Sequence, residues 1–343
     1  MPGSSLPGLS PTIGTVPQLL NKLRIDARPS GLTARFCAPS RSRFRVFDAP
    51  YPLRLWHLAS LDAPSVALVW SFGFAWVARA TLPVWLQALL AFTVWAVYIA
   101  DRLLDARAGL RSANPHRLRE RHLFHWRHRR LLLPLAAAAA AAAASIVFTF
   151  MPLGARETDS ILAAASLVYF VRVHTGRKPA PLLSKELLVG LLFTAGCALP
   201  ALARLSTRFS PRFPSPAALP HPSLLWPMLV TAAFFALLAW LNCHAIDRWE
   251  ALSRWEALPH HPFNRSIAPT ASLVALAGLL LTAVFCISQP RFAALLAAAA
   301  AAALLLALLD SLRSRLTPVA LRAAADLVLL TPLLLLPFAA SFK

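Results

Sequence analysis

The sequence predicts an all-α protein, a polytopic membrane helix bundle with about nine transmembrane helices. Three observations predict this class. Of 343 residues, 58% are hydrophobic and only 14% are charged, a balance foreign to a soluble chain of this length. The apolar stretches are continuous and not alternating, which fits helices and excludes a membrane β-barrel. Most of these stretches approach the roughly 20 residues that a helix needs to cross the hydrocarbon core. Taken in order, the expected spans are 63–81, 82–100, 131–152, 159–173, 186–205, 223–243, 267–288, 292–309 and 318–340. The fourth is the shortest. The first long apolar run starts near residue 63, too far in for a cleaved leader.

Ahead of the spans, residues 1–50 are rich in Pro, Ser, Gly and Arg and read as a disordered basic tail. Such a tail either touches anionic headgroups or has no role. Residues 51–343 read as one membrane domain. Two Ala-rich runs, 136–144 and 297–303, lie inside spans, where small side chains let helices approach closely. "SPRFPSPAALPHPS", 210–223, reads as an irregular connector. The four cysteines, Cys37, Cys197, Cys243 and Cys286, have no paired spacing and read as packing residues.

The net charge of +20 does not point to nucleic acid, because it sits between the spans. Sorted by alternate sides of nine spans, 27 of the 34 Lys and Arg fall on the side of the N-terminus and 7 on the other. The positive-inside rule then places the N-terminus in the cytoplasm.

The chain has only fourteen Asp and Glu, so their positions are informative. "VYIADRLLDA", 97–106, closes the second span with Asp101 and Asp105, one helical turn apart on one face. "LNCHAIDRWE", 241–250, closes the sixth span with Asn242, Asp247 and Glu250. Four spans separate the two groups, so they share a side. Carboxylates at close quarters repel, and a hard divalent cation resolves the repulsion. Mg2+ takes carboxylate oxygens and completes its shell with water and substrate phosphates. On this reading Asp101, Asp105, Asp247 and Glu250 are metal ligands. Arg102, Lys185 and Arg248 are candidates for phosphate contacts. The plainer reading makes each Asp–Arg pair a solvated helix end. The histidine-rich stretch "HRLRERHLFHWRHRR", 116–130, reads as an amphipathic segment on anionic lipid.

These residues resemble the UbiA superfamily of intramembrane prenyltransferases. "VYIADRLLD", 97–105, is similar to the DRxxD half of that family's first Asp-rich motif, and "IDRWEA", 246–251, stands where its second is expected. "SLDAPSVALVW", 60–70, resembles the first-helix "RLDKPIG" pattern, with Asp62 and Pro64 in place. "VGLLFTAG", 189–196, resembles the fifth-helix pattern, with Gly190 and Gly196 at its spacing. "YFVRVH", 169–174, loosely matches the basic pair after the fourth helix and adds Arg172 as a diphosphate contact. Val97 and Tyr98 replace the Asn and Asp that open the first motif, and Ala251 replaces the last Asp of the second.

The resemblance implies a UbiA-like fold over about 52–340. It implies Mg2+-dependent transfer of a prenyl group from a prenyl diphosphate to an aromatic or other lipophilic acceptor. Asn242 and Tyr98 join the substrate contacts, with the Tyr98 ring facing the allylic cation or anchoring at the interface. The expected location is the bacterial inner (plasma) membrane. Two alternatives stay open: a UbiA-like protein without turnover, and a transporter, since acids in membrane segments also mark ion paths.

Overall fold

Ser60 and its neighbours decide how the membrane domain begins. A first helix, α1 (Tyr51–Leu58), ends where Ser60 takes a left-handed φ of 56°. The amides of Ala59, Ser60 and Leu61 turn back to the carbonyls of Leu55, His57 and Trp56 and close the helix end. The next helix, α2 (Asp62–Val77), leaves at 88° to the first. The corner sets His57 beside Asp62, five residues on.

The computed structural model describes residues 47–111, 118–175, 184–208, 224–255 and 266–339. Most of the expected tail, the connector 210–223 and the start of the 116–130 cluster lie outside these residues. The helices after α2 are α3 (Val84–Arg111), α4 (Glu120–Arg127), α5 (Arg129–Phe150), α6 (Leu153–His174), α7 (Lys185–Arg208), α8 (Leu225–Trp255), α9 (Ala268–Phe285), α10 (Pro290–Leu312), α11 (Pro318–Val328) and α12 (Leu336–Ala339). Among the described residues the only strand-like pairing is an isolated parallel bridge between Phe47 and Leu316. The protein is all-helical, as expected.

Each of the nine expected spans falls on helix, but fewer helices can cross a membrane. Among the described residues six are long and apolar enough, and a seventh counts if α1 and α2 together make one bent span. The reasons are local. A left-handed Arg79 (φ 52°) stops α2 after 16 residues. In α6, Arg156, Glu157, Asp159 and Arg172 raise the charge. Helix α11 has only 11 residues, and the chain then turns through a 3-10 segment, Thr331–Leu335, that contains Pro332.

The core gathers around α2. Trp70 stacks on Phe235 of α8 with centroids 3.8 Å apart, and Phe74 meets the same ring edge-on at 5.9 Å. Buried deep, the Trp70 indole N–H donates to the Leu329 carbonyl at 2.9 Å. Small residues set the close approaches. At Gly190 of α7, an added Cβ would lie 3.0 Å from both Ala236 O and Trp240 N of α8. The second Ala run buries Ala298, Ala299, Ala300, Ala302 and Ala303 in α10. The first buries only Ala136, Ala139 and Ala143, one stripe of α5.

Candidate functional site

The polar end of α3 carries Tyr98, Asp101, Arg102 and Asp105, and three other elements converge on it. From the last turn of α6, His174 brings its Nε2 to 3.5 Å from Asp101 and 3.8 Å from Asp105. From α4, His122 Nε2 stands 3.9 Å from the other oxygen of Asp105. Lys185, at the start of α7, and Arg102 add positive charge in the field of Asp105.

The His174 ring defines its own proton. Nδ1 lies 2.9 Å from the Phe170 carbonyl, which can only accept, so Nδ1 carries the hydrogen. Nε2 is buried and, among the described residues, has no hydrogen-bond partner. It faces two carboxylates. Donor atoms of Asp101, Asp105 and His174 all lie within 4.8 Å of one another. The two carboxylates are also open to water, with side chains 35% and 42% exposed.

Arg102 follows Asp101 on the same helix, and its charge reaches Asp105. It is 5% exposed, yet among the described residues no carboxylate lies within 4 Å of its guanidinium. Its one close partner is the Tyr98 ring, 5.7 Å away. Asp62, Asp105, His122 and His125 all sit in its field.

A second polar group lies at the corner of α1 and α2. His57 Nδ1 is 2.7 Å from Asp62 and 3.5 Å from Asp326 of α11. Asn242 of α8 donates from Nδ2 to Asp326 at 3.2 Å.

A third group surrounds Glu250. Its carboxylate takes Arg121 at 2.9 Å, together with Arg119 and Arg322. Two of those arginines flank or open α4, so Glu250 ties that short helix to α8. Arg54 holds Glu120 from the other side. Ser60 Oγ and His125 Nε2 are 3.2 Å apart, and His125 Nδ1 donates to the Arg121 carbonyl at 2.8 Å. With Nδ1 protonated, Nε2 accepts from the Ser60 hydroxyl. Burial, and next the charge of Arg102, push both His122 and His125 down to about 4. Both rings are neutral at pH 7.

The structure therefore brings together only part of the expected constellation. Asp101 and Asp105 share one group, with Arg102, Tyr98 and Lys185 around it. Asn242 turns to Asp326 instead. Glu250 is committed to three guanidiniums. Asp247 is exposed, and Arg248 is half-buried near His244. Arg172 is exposed and has no ion pair among the described residues. The residues that the sequence did not single out for a site are His57, Asp62, His174, Arg322 and Asp326. Asp62 and His174 stand only as members of the "SLDAPSVALVW" and "YFVRVH" patterns, and the signal for His57 is "HLASLD", 57–62, whose two polar ends meet only across a chain reversal.

Fold and composition together define a class, an all-helical integral membrane protein with a polar cluster at one end of its helices. Beyond the class the chain stands apart: no family model, no curated protein and no solved structure matches it.

Proposed function

We propose that the chain is an intramembrane transferase, moving a prenyl group from a prenyl diphosphate to an aromatic or other lipophilic acceptor with Mg2+. The proposal includes a UbiA-like arrangement of its helices, the bacterial inner (plasma) membrane as its location and a cytoplasmic N-terminus. The observation that carries it is Arg102. Arg102 is 5% exposed and has no carboxylate within 4 Å among the described residues, a position that a bound anion would stabilise. It sits on the same helix as two carboxylates that, with His174, favour a bound cation. A metal diphosphate presents both charges together.

The donor set fits one Mg2+ in part. Asp101 and Asp105 are hard oxygen ligands one turn apart, and the remaining positions would go to water and phosphate oxygens. Bound there, the ion would neutralise charge on the departing diphosphate. Arg102 would hold the diphosphate from its buried side, and Lys185 would reach it from the rim. The Tyr98 ring, 5.7 Å from the Arg102 guanidinium, would line the space beside the diphosphate. Asp247 and Glu250 supply no ligand in this arrangement.

A second reading, a diphosphate-binding protein without turnover, is favoured by the commitment of Glu250 to Arg119, Arg121 and Arg322. Incubation of purified protein with Mg2+ and a series of prenyl diphosphates separates the two. Release of diphosphate on addition of an aromatic acceptor supports transfer. Saturable binding with no release supports the second reading, and absence of binding removes both.

A further inference from the structure

We propose that His57, Asp62 and Asp326, with Asn242 beside them, form a binding site for a first-row divalent metal ion such as Mn2+ or Zn2+. The site is separate from the Asp101–Asp105 group and does not depend on the transferase reading.

The geometry is that of a closed donor set. One ligand atom from each of His57, Asp62 and Asp326 falls within 4.8 Å of the other two. Donors on a tetrahedral zinc, with bonds of about 2.0–2.2 Å, stand roughly 3.3 Å apart. The 3.5 Å between His57 Nδ1 and Asp326 Oδ2 already matches that spacing. The 2.7 Å between His57 Nδ1 and Asp62 Oδ2 must open by a few tenths of an ångström. Ligation through Nδ1 uses the tautomer whose proton is on Nε2.

Charge and burial argue the same way. The side chains of His57 and Asp62 are each 3% exposed, and that of Asp326 is 16% exposed. The single proton on Nδ1 cannot neutralise two carboxylates. Among the described residues no guanidinium lies within 4 Å of either acid; Arg322, whose charge reaches both, is paired with Glu250, and Arg102 reaches Asp62 only through its field. A cation ligated directly by both carboxylates removes this mismatch.

Asn242 supplies an independent observation. It is 5% exposed, and its Nδ2 reaches Asp326 at 3.2 Å. Its carbonyl oxygen Oδ1, on the same amide, is buried and has no hydrogen-bond partner among the described residues. A buried acceptor of this kind, on a side chain that already touches Asp326, is available to a cation as a third oxygen donor beside the imidazole nitrogen. The imidazole nitrogen favours Mn2+, Fe2+ or Zn2+ over Mg2+.

The test uses full-length protein carrying Asp101→Asn and Asp105→Asn, which disables the other acidic group. The protein is stripped with chelator and titrated with Co2+ alone, with visible absorption and metal content as readouts. The expected result is one equivalent of Co2+ with d–d bands, displaced by Zn2+ and bound at least tenfold more weakly after Asp326→Asn. Absence of stoichiometric binding, or binding unchanged by Asp326→Asn, overturns the site. If Asp326→Asn does not fold, the parent loaded with Mn2+ decides through electron spin echo. Nitrogen coupling that persists after His174→Gln supports His57 as the ligand, and absence of that coupling overturns it.

Discussion

Replacing Glu250 by Gln tests whether α4 is anchored by charge. The carboxylate is only 18% exposed and accepts Arg119, Arg121 and Arg322, whose side chains are 26%, 12% and 16% exposed. Gln keeps the shape but removes the charge, and it turns one acceptor into a donor that faces guanidinium donors. Breaking one partner of a buried pair costs about 3–5 kcal/mol. Partial exposure lowers this figure, while the arginines left to repel one another raise it, so the expected loss is about 3 kcal/mol. The loss should appear in two ways. Thermal unfolding in detergent should shift down by several degrees, and added salt should recover part of the shift by screening the arginines. Proteolysis around residues 118–128 should accelerate at temperatures where the rest of the fold is intact. A variant that melts with the parent and is cut no faster would refute the anchoring role of Glu250.

Other perturbations follow from the same contacts. Asp310 accepts from Trp249 Nε1 at 2.7 Å, from the Ile267 and Ala268 amides at 2.9 and 3.1 Å, and from Ser266, so Asp310→Asn should cost roughly 2–3 kcal/mol in unfolding free energy. Gly190→Ala drives a methyl against backbone atoms of α8 at 3.0 Å and should destabilise by about 1–3 kcal/mol, whereas Gly196→Ala meets only Leu90 at 3.8 Å and should melt as the parent. His122 and His125 are held near 4 in the fold, below the usual histidine value, so the unfolded chain takes up protons first. Their contribution is complete above about pH 6.5 and is lost as pH falls toward 4; a melting temperature that does not fall between pH 6.5 and 4.5 contradicts this.

Helix content was legible because apolar continuity is a local property. Helix covers most of each expected span among the described residues, and the Ala runs do pack, the second almost all round. The number of membrane crossings was less legible. Apolarity alone cannot reveal the left-handed turns at Ser60 and Arg79, or the 3-10 turn at Pro332, and these shorten what reads as long apolar sequence. The pairing of Asp101 with Asp105 was legible from helical spacing. Their third partner, His174, comes from another helix, and no periodicity connects residues 69 positions apart. Glu250 shows the same limit from the other side. Its spacing from Asp247 suggested a shared ligand face, but Asp247 is exposed while Glu250 faces the arginines of α4 and α11. Gly190 was noticed as part of a pattern, and the structure supplies the reason in the backbone of α8.

The central claim is that the buried Arg102 receives a diphosphate. The direct measurement is calorimetric binding of inorganic diphosphate with Mg2+ to the parent and to Arg102→Gln, with the fold of both checked by thermal melting. Removing a charge-assisted contact worth about 2 kcal/mol predicts a loss of affinity of roughly 30-fold. Equal affinity in the two proteins, or no binding by the parent, contradicts the account.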